Sequence, residues 1–135
     1  MLKIDIINET RENIRQSDLE KYVKAVYCLL FEDIKKSHLE ISFVSKVKIA
    51  KLNKQYLHHL GPTDVLSFPN ADHGHTPIKS IGSVVICPKY LIEHQENIKE
   101  VILHGMIHLA GYDHVSNPKE WDLKIISIKN ELPKI

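Results

Sequence analysis

The chain has 135 residues, 43% of them apolar and 26% charged, with a formal net charge of +1 at pH 7. That length suffices for one hydrophobic core, so a single domain over residues 1–135 is expected. The near-neutral charge excludes a general affinity for polyanions, leaving nucleic-acid contact to a local patch, and no apolar run approaches the ~20 residues of a membrane span.

LKIDII at 2–7 reads as a first strand. The opening MLKIDIINETREN lacks the apolar stretch of a signal peptide, which makes the cytoplasm the expected location. Ser17 and Glu20 match a capping box. Beyond them Leu19, Tyr22, Val23, Val26, Tyr27 and Leu30 recur at helical spacing, so a helix is predicted over 18–31. LEISFV at 39–44 alternates as a half-buried strand does. Ser45 is placed to cap a helix over 46–57, with Ile49, Leu52 and Tyr56 on one face. VLSF at 65–68 is a short strand fenced by Pro62 and Pro69; proline cannot donate to a ladder, so Pro69 ends it or puts it at an edge.

Residues 70–81 are expected to hold a loop. Its His73 and His75 have a metal-compatible H-x-H spacing but read better as ordinary loop residues. SVVIC at 83–87 suggests a central strand. Pro88 opens helical sequence, clearest from Gln95 to Ala110. Asn117 and Pro118 then start a last helix, with Trp121, Ile125, Ile128 and Leu132 on one face and Pro133 as its stop. Cys28 and Cys87 fall in different elements and are expected to be small buried apolar groups. The order βαβαββαα implies an α+β fold: a single mixed sheet of about four strands packed with helices.

The stretch HGMIHLAGYDH, His104 to His114, carries the chemistry. Around it, from Val101 to Ala110, nearly every residue except His104 and His108 is apolar, so the helix is buried on most sides. The two imidazoles lie one turn apart on one face, and leaving them buried and unpaired would be costly. Gly111 suits the left-handed position that ends a helix, letting the chain return with His114 as a third ligand. Three histidines at this spacing predict a metal site, zinc first, with another borderline divalent ion possible. The spacing is that of the zinc proteases written H-E-x-x-H-x-x-G-x-x-H, but Gly105 stands where those enzymes keep their general base. Either a strand packs closely against Gly105, or the missing side chain leaves space beside the metal.

The candidate catalytic carboxylates are Asp64 and Asp113. Asp113 either orients a histidine ligand or closes a turn. Asp64, with Thr63 at the entrance to the edge strand, either closes that turn or projects into a cleft. Lys48, Lys51 and Lys54, with His58 and His59 beyond, form a basic stripe, a solvated face or a contact for phosphates. The only arginines are Arg11 and Arg15, so bidentate arginine clamps near the site are not expected unless the N-terminal region folds back onto it.

PTDVLSFP at 62–69 together with HGMIHLAGYDH resembles the signature of the YbeY-type bacterial endoribonucleases, which are ribosomal-RNA maturation factors. LNKQY at 52–56 and GSVVI at 82–86 extend the resemblance, and the element order fits most of the chain. The resemblance implies one zinc-like ion at His104, His108 and His114 and endoribonuclease activity selective for single-stranded RNA. It further implies action on the 3′ end of small-subunit ribosomal RNA and in ribosome quality control, with the small ribosomal subunit as partner and neither DNA nor membrane. Members usually carry an arginine just after the tyrosine matching Tyr56; here Leu57 follows, and Gly82 is followed by Ser83 where members often show G-D. RNA contact then falls to Lys51, Lys54, His58 and His59. Two other functions compatible with three histidine ligands are a zinc hydrolase of another bond, such as an amide, and a non-catalytic ribosome assembly factor with a structural zinc.

Overall fold

The computed structural model describes residues 2–31, 36–69 and 78–132. Its elements run β1 (Leu2–Asn8), α1 (Gln16–Leu30), β2 (Lys36–Phe43), α2 (Lys46–Leu57), β3 (Val65–Pro69), β4 (Ile78–Ile86), α3 (Pro88–Glu93), α4 (Ile98–Leu109) and α5 (Pro118–Glu131). The expected α+β fold with a mixed four-stranded sheet is what forms, in the order β1-β2-β4-β3. β1, β2 and β4 are parallel, and β3 joins β4 antiparallel as an edge strand ending at Pro69. Proline closes the edge there because it has no N–H to offer a further strand.

Each face of the sheet has its own cover, read from the alternation of side chains along the strands. Leu39, Ile41, Phe43, Val84 and Ile86 face α1, α4 and α5 and form the main core with Val23, Val26, Ile102 and Met106. Leu66 and Val85 face the other way and pack with Ile49 of α2, beside Leu52 and Phe68. An extra residue, Ile81, sits between the pairs His38–Ser80 and Leu39–Gly82, and this bulge resets which β4 side chains face which layer. Among the described residues no helix is long and apolar enough to cross a membrane.

Several expectations shift. α1 begins at Gln16 behind Arg15, and no side chain caps it, so Ser17 already lies inside the first turn and forms no capping box. Cys28 is exposed: the buried stripe of α1 runs through Leu19, Tyr22, Val23, Val26 and Tyr27, and position 28 turns away from it. Cys87 is buried as expected. β2 starts at Lys36, earlier than its alternation suggested, and residues 78–81 belong to β4 rather than to a loop. His73, His75 and Pro133 lie outside the described residues.

The helical sequence after Pro88 is broken into two helices. Gln95 takes a left-handed φ of 55°, a conformation usually left to glycine. The Glu96 N–H then reaches the Leu91 carbonyl at 2.9 Å, closing α3, and α4 starts afresh behind Asn97. Ser45 caps α2 as predicted, accepting from the Lys48 N–H at 3.2 Å. Asn117 is the residue before α5, although its side chain makes no capping bond.

Candidate functional site

α4 carries two histidines into the centre of the molecule. Asn97 caps it, accepting from the N–H groups of Lys99 at 2.8 Å and Glu100 at 3.3 Å. Val101, Ile102, Leu103, Met106 and Ile107 are buried, which pins the helix between the sheet and α1 and fixes which way His104 and His108 point. Gly105 faces the sheet: a Cβ there would lie 3.0 Å from a Val84 methyl and 3.1 Å from the Ser67 hydroxyl. The close-packing reading of this glycine therefore holds, and it opens no space beside the histidines. The Ser67 hydroxyl also donates to the Gly105 carbonyl at 3.2 Å, tying β3 to the middle of α4.

Past Ala110 the chain reverses through Gly111, whose φ is 99°. The Tyr112 N–H bonds the Ile107 carbonyl at 3.3 Å and the Gly111 N–H bonds that of His108 at 3.0 Å, the paired bonds of a Schellman ending. The return brings His114 against the two helical histidines. The three ring centroids stand 5.1 Å, 5.2 Å and 5.2 Å apart, a near-equilateral triangle. One ring nitrogen from each lies within 4.8 Å of the others, so the group can hold a metal ion.

Burial pushes the His104 and His108 imidazoles below their ordinary pKa, and neighbouring histidines add to the depression. The chain thus favours the neutral form that can ligate a cation. His108 has a backbone hydrogen bond at Tyr112. Trp121 of α5 packs against all three imidazoles, at 4.6 to 5.1 Å between centroids.

In front of the histidines opens a cavity of about 550 Å³ whose wall includes Asp64, Leu57, Ser67 and Asp113. Asp64 both closes a turn and reaches the cleft. Its carboxylate accepts from the Val65 N–H at 2.7 Å and the Thr63 hydroxyl at 3.2 Å, while its carbonyl accepts from the Cys87 N–H at 3.0 Å. Its negative charge acts on His104. Glu96 lies on the other side of it, its carboxyl raised by burial and then by the charge of Asp64 and a hydrogen bond to it. Glu96 was absent from the sequence expectations: it precedes the cap of α4, far from Asp64 in the chain, and no motif marks it. The Asp113 carboxylate accepts from the Val115 N–H at 2.8 Å, and that bond comes first in holding it below the usual carboxylate range. It closes the turn that returns His114.

Lys51, Lys54, His58 and His59 are exposed and lie outside the cavity lining. Lys48 is not a free member of their stripe, since Glu9 pairs with it at 2.7 Å. The cavity wall takes Leu57 from the end of α2. Asn53, buried just before, donates to the Gly61 carbonyl at 3.0 Å and so holds the segment leading to Asp64.

An α+β fold that sets three imidazoles at the foot of an open cavity defines a candidate metal-site protein. Residues 5–131 match the family model for Endoribonuclease YbeY. A relative of that name from Coxiella burnetii is 33% identical over 139 residues, covering 96% of this chain and 91% of the relative. Another, from Finegoldia magna, is 38% identical over 109 residues, covering 73% of this chain and 69% of its own length. The chain belongs to the YbeY endoribonuclease family. Its fold resembles the solution structure of TM1509 from Thermotoga maritima, with a TM-score of 0.57 and 28% identity over 93% of this chain and 86% of the other.

Proposed function

We propose that this chain is a single-domain, cytoplasmic, zinc-dependent endoribonuclease. Its substrate is single-stranded RNA, and its role is 3′-end maturation of small-subunit ribosomal RNA and ribosome quality control. The observation that carries the reading is the triangle of His104, His108 and His114 rings beneath an open cavity, in a chain of this family. Three converging imidazoles with an open side suit a catalytic zinc site. A zinc ion held there supplies Lewis-acid chemistry, acidifying water and offsetting charge that develops on phosphate oxygens.

The chain's own groups do the rest. Asp64 stands at the cavity wall, its carboxylate fixed by the Val65 N–H, and accepts the proton of the attacking group. Asp113 closes the turn that keeps His114 facing His108 and sets the charge beside that ring. Lys51, Lys54, His58 and His59 hold phosphates at the outer end of α2, where Leu57 offers no cation. Peptide hydrolysis is disfavoured because position 105 faces Val84 and Ser67, leaving no place for a protease base.

The test is metal content by elemental analysis, with cleavage assayed on single-stranded RNA, duplex RNA and single-stranded DNA. One bound ion per chain is expected, with cleavage confined to single-stranded RNA. Chelator or His108→Ala should reduce cleavage to background while the far-ultraviolet circular dichroism persists, because the apolar core closes without the ion. Cleavage that survives both treatments would refute the reading. Unfolding on chelation would instead identify a structural zinc.

A further inference from the structure

The three imidazoles share one aromatic neighbour. Trp121 is the chain's only tryptophan. It is 4% exposed, and its centroid stands 4.7 Å from His104, 4.6 Å from His108 and 5.1 Å from His114. The contacts with His104 and His114 are edge-to-face, the geometry in which aromatic rings attract most directionally. The histidines line the open cavity and Trp121 does not, so the indole backs the triangle on its closed side.

Metal-ligating histidines are ordinarily oriented by a hydrogen bond at the second ring nitrogen. Here His108 has one at the Tyr112 backbone. Among the described residues, neither the His104 nor the His114 ring makes a hydrogen bond. The need is greatest for His114, an exposed side chain on a turn whose ring contacts are His104, His108 and Trp121. Rotamer freedom lost on ligation weakens binding, and a ring already held in place loses less.

We infer that Trp121 is a positioning residue for the metal ligands, bracing the three imidazoles in one arrangement from the closed side, and that its emission reports occupancy of the site. The inference rests on the metal-binding part of the function proposed above. A residue that only filled the core would stabilise the fold without setting the affinity for the ion.

The experiment titrates the purified chain and its variants with Zn²⁺ by calorimetry and with Co²⁺ and Ni²⁺ by tryptophan emission. All are measured at a temperature where the metal-free unfolding curve shows the protein folded. Wild-type emission should change saturably at one ion per chain, and His108→Ala should abolish the change. W121F, which keeps an aromatic ring, should bind Zn²⁺ within a few-fold of wild type. W121L and W121M, two ringless shapes, should bind roughly 10- to 100-fold more weakly, the usual loss when a ligand's orienting partner is removed. Saturable binding with unchanged wild-type emission, or a ringless variant with wild-type affinity, overturns the role of Trp121 and leaves the metal site standing. No binding by wild type overturns both. The wild-type emission requires no variant to fold.

Discussion

At the scale of single residues, burial biases two of the three clustered histidines towards the neutral form. His104 and His108 are held below their ordinary 6.5, first by burial and then by other histidines. In the unfolded chain both return to about that ordinary value. The unfolded state therefore binds more protons as pH falls, and stability declines with it. The contribution is complete above about pH 6.5 and is lost as pH drops through the two folded-state values. In the presence of chelator, the urea midpoint should fall between about pH 7 and pH 5. The double variant H104N/H108N should show a shallower decline, since asparagine does not titrate. Identical slopes for the two proteins would remove burial of these imidazoles as the cause.

At the scale of elements, α4 is the piece on which everything converges, and Gly105 is where its geometry is tightest. Alanine in mid-helix ordinarily gains about 1 kcal/mol over glycine. Here the new methyl would meet Val84 at 3.0 Å and Ser67 at 3.1 Å. Val84 is fully buried on β4, between β2 and β3, and has no room to retreat. Overpacking of this kind costs about 1–3 kcal/mol and outweighs the propensity gain. Gly105→Ala should lower the urea midpoint at unchanged m-value, with a net loss of about 1 kcal/mol. A raised midpoint would mean that the sheet yields. The reversal at Gly111 is the second element-scale device: it turns a histidine pair on one helix into a group of three.

At the scale of the whole molecule, the charge balance sets how RNA must be held. With a net charge of +1 there is no broad electrostatic field. Lys48 is paired with Glu9, while among the described residues Lys51 and Lys54 have no ion-pair partner. Single-stranded nucleic acid releases counterions with a slope of about −0.7 per phosphate contact. Two lysines then predict log Kd rising with log salt at a slope of about 1.4. Fluorescence anisotropy of a labelled single-stranded RNA across a salt series measures it, and K51A/K54A should remove most of the dependence. A slope above about 5 would require a basic surface beyond α2.

Much of this protein is local physics, and that part is readable from the chain. The stripe from Leu19 to Tyr27, the Ser45 cap, the Pro69 edge and the spacing of His104, His108 and His114 each follow from neighbours a few residues away. Periodicity, capping and turn chemistry act over that range. What the chain alone left open are choices between two local solutions or meetings of distant segments. Gln95 adopts a left-handed conformation that its residue type rarely takes, so one helix became two. Gly105 could be read as space or as close packing until Val84 and Ser67 stood against it. Asp64 met Glu96, Lys48 met Glu9, and Trp121, legible only as the apolar face of α5, came to rest on all three histidines. Sequence pattern determined which three histidines come together; tertiary packing decided what surrounds them, because contacts between remote elements leave no period in the chain.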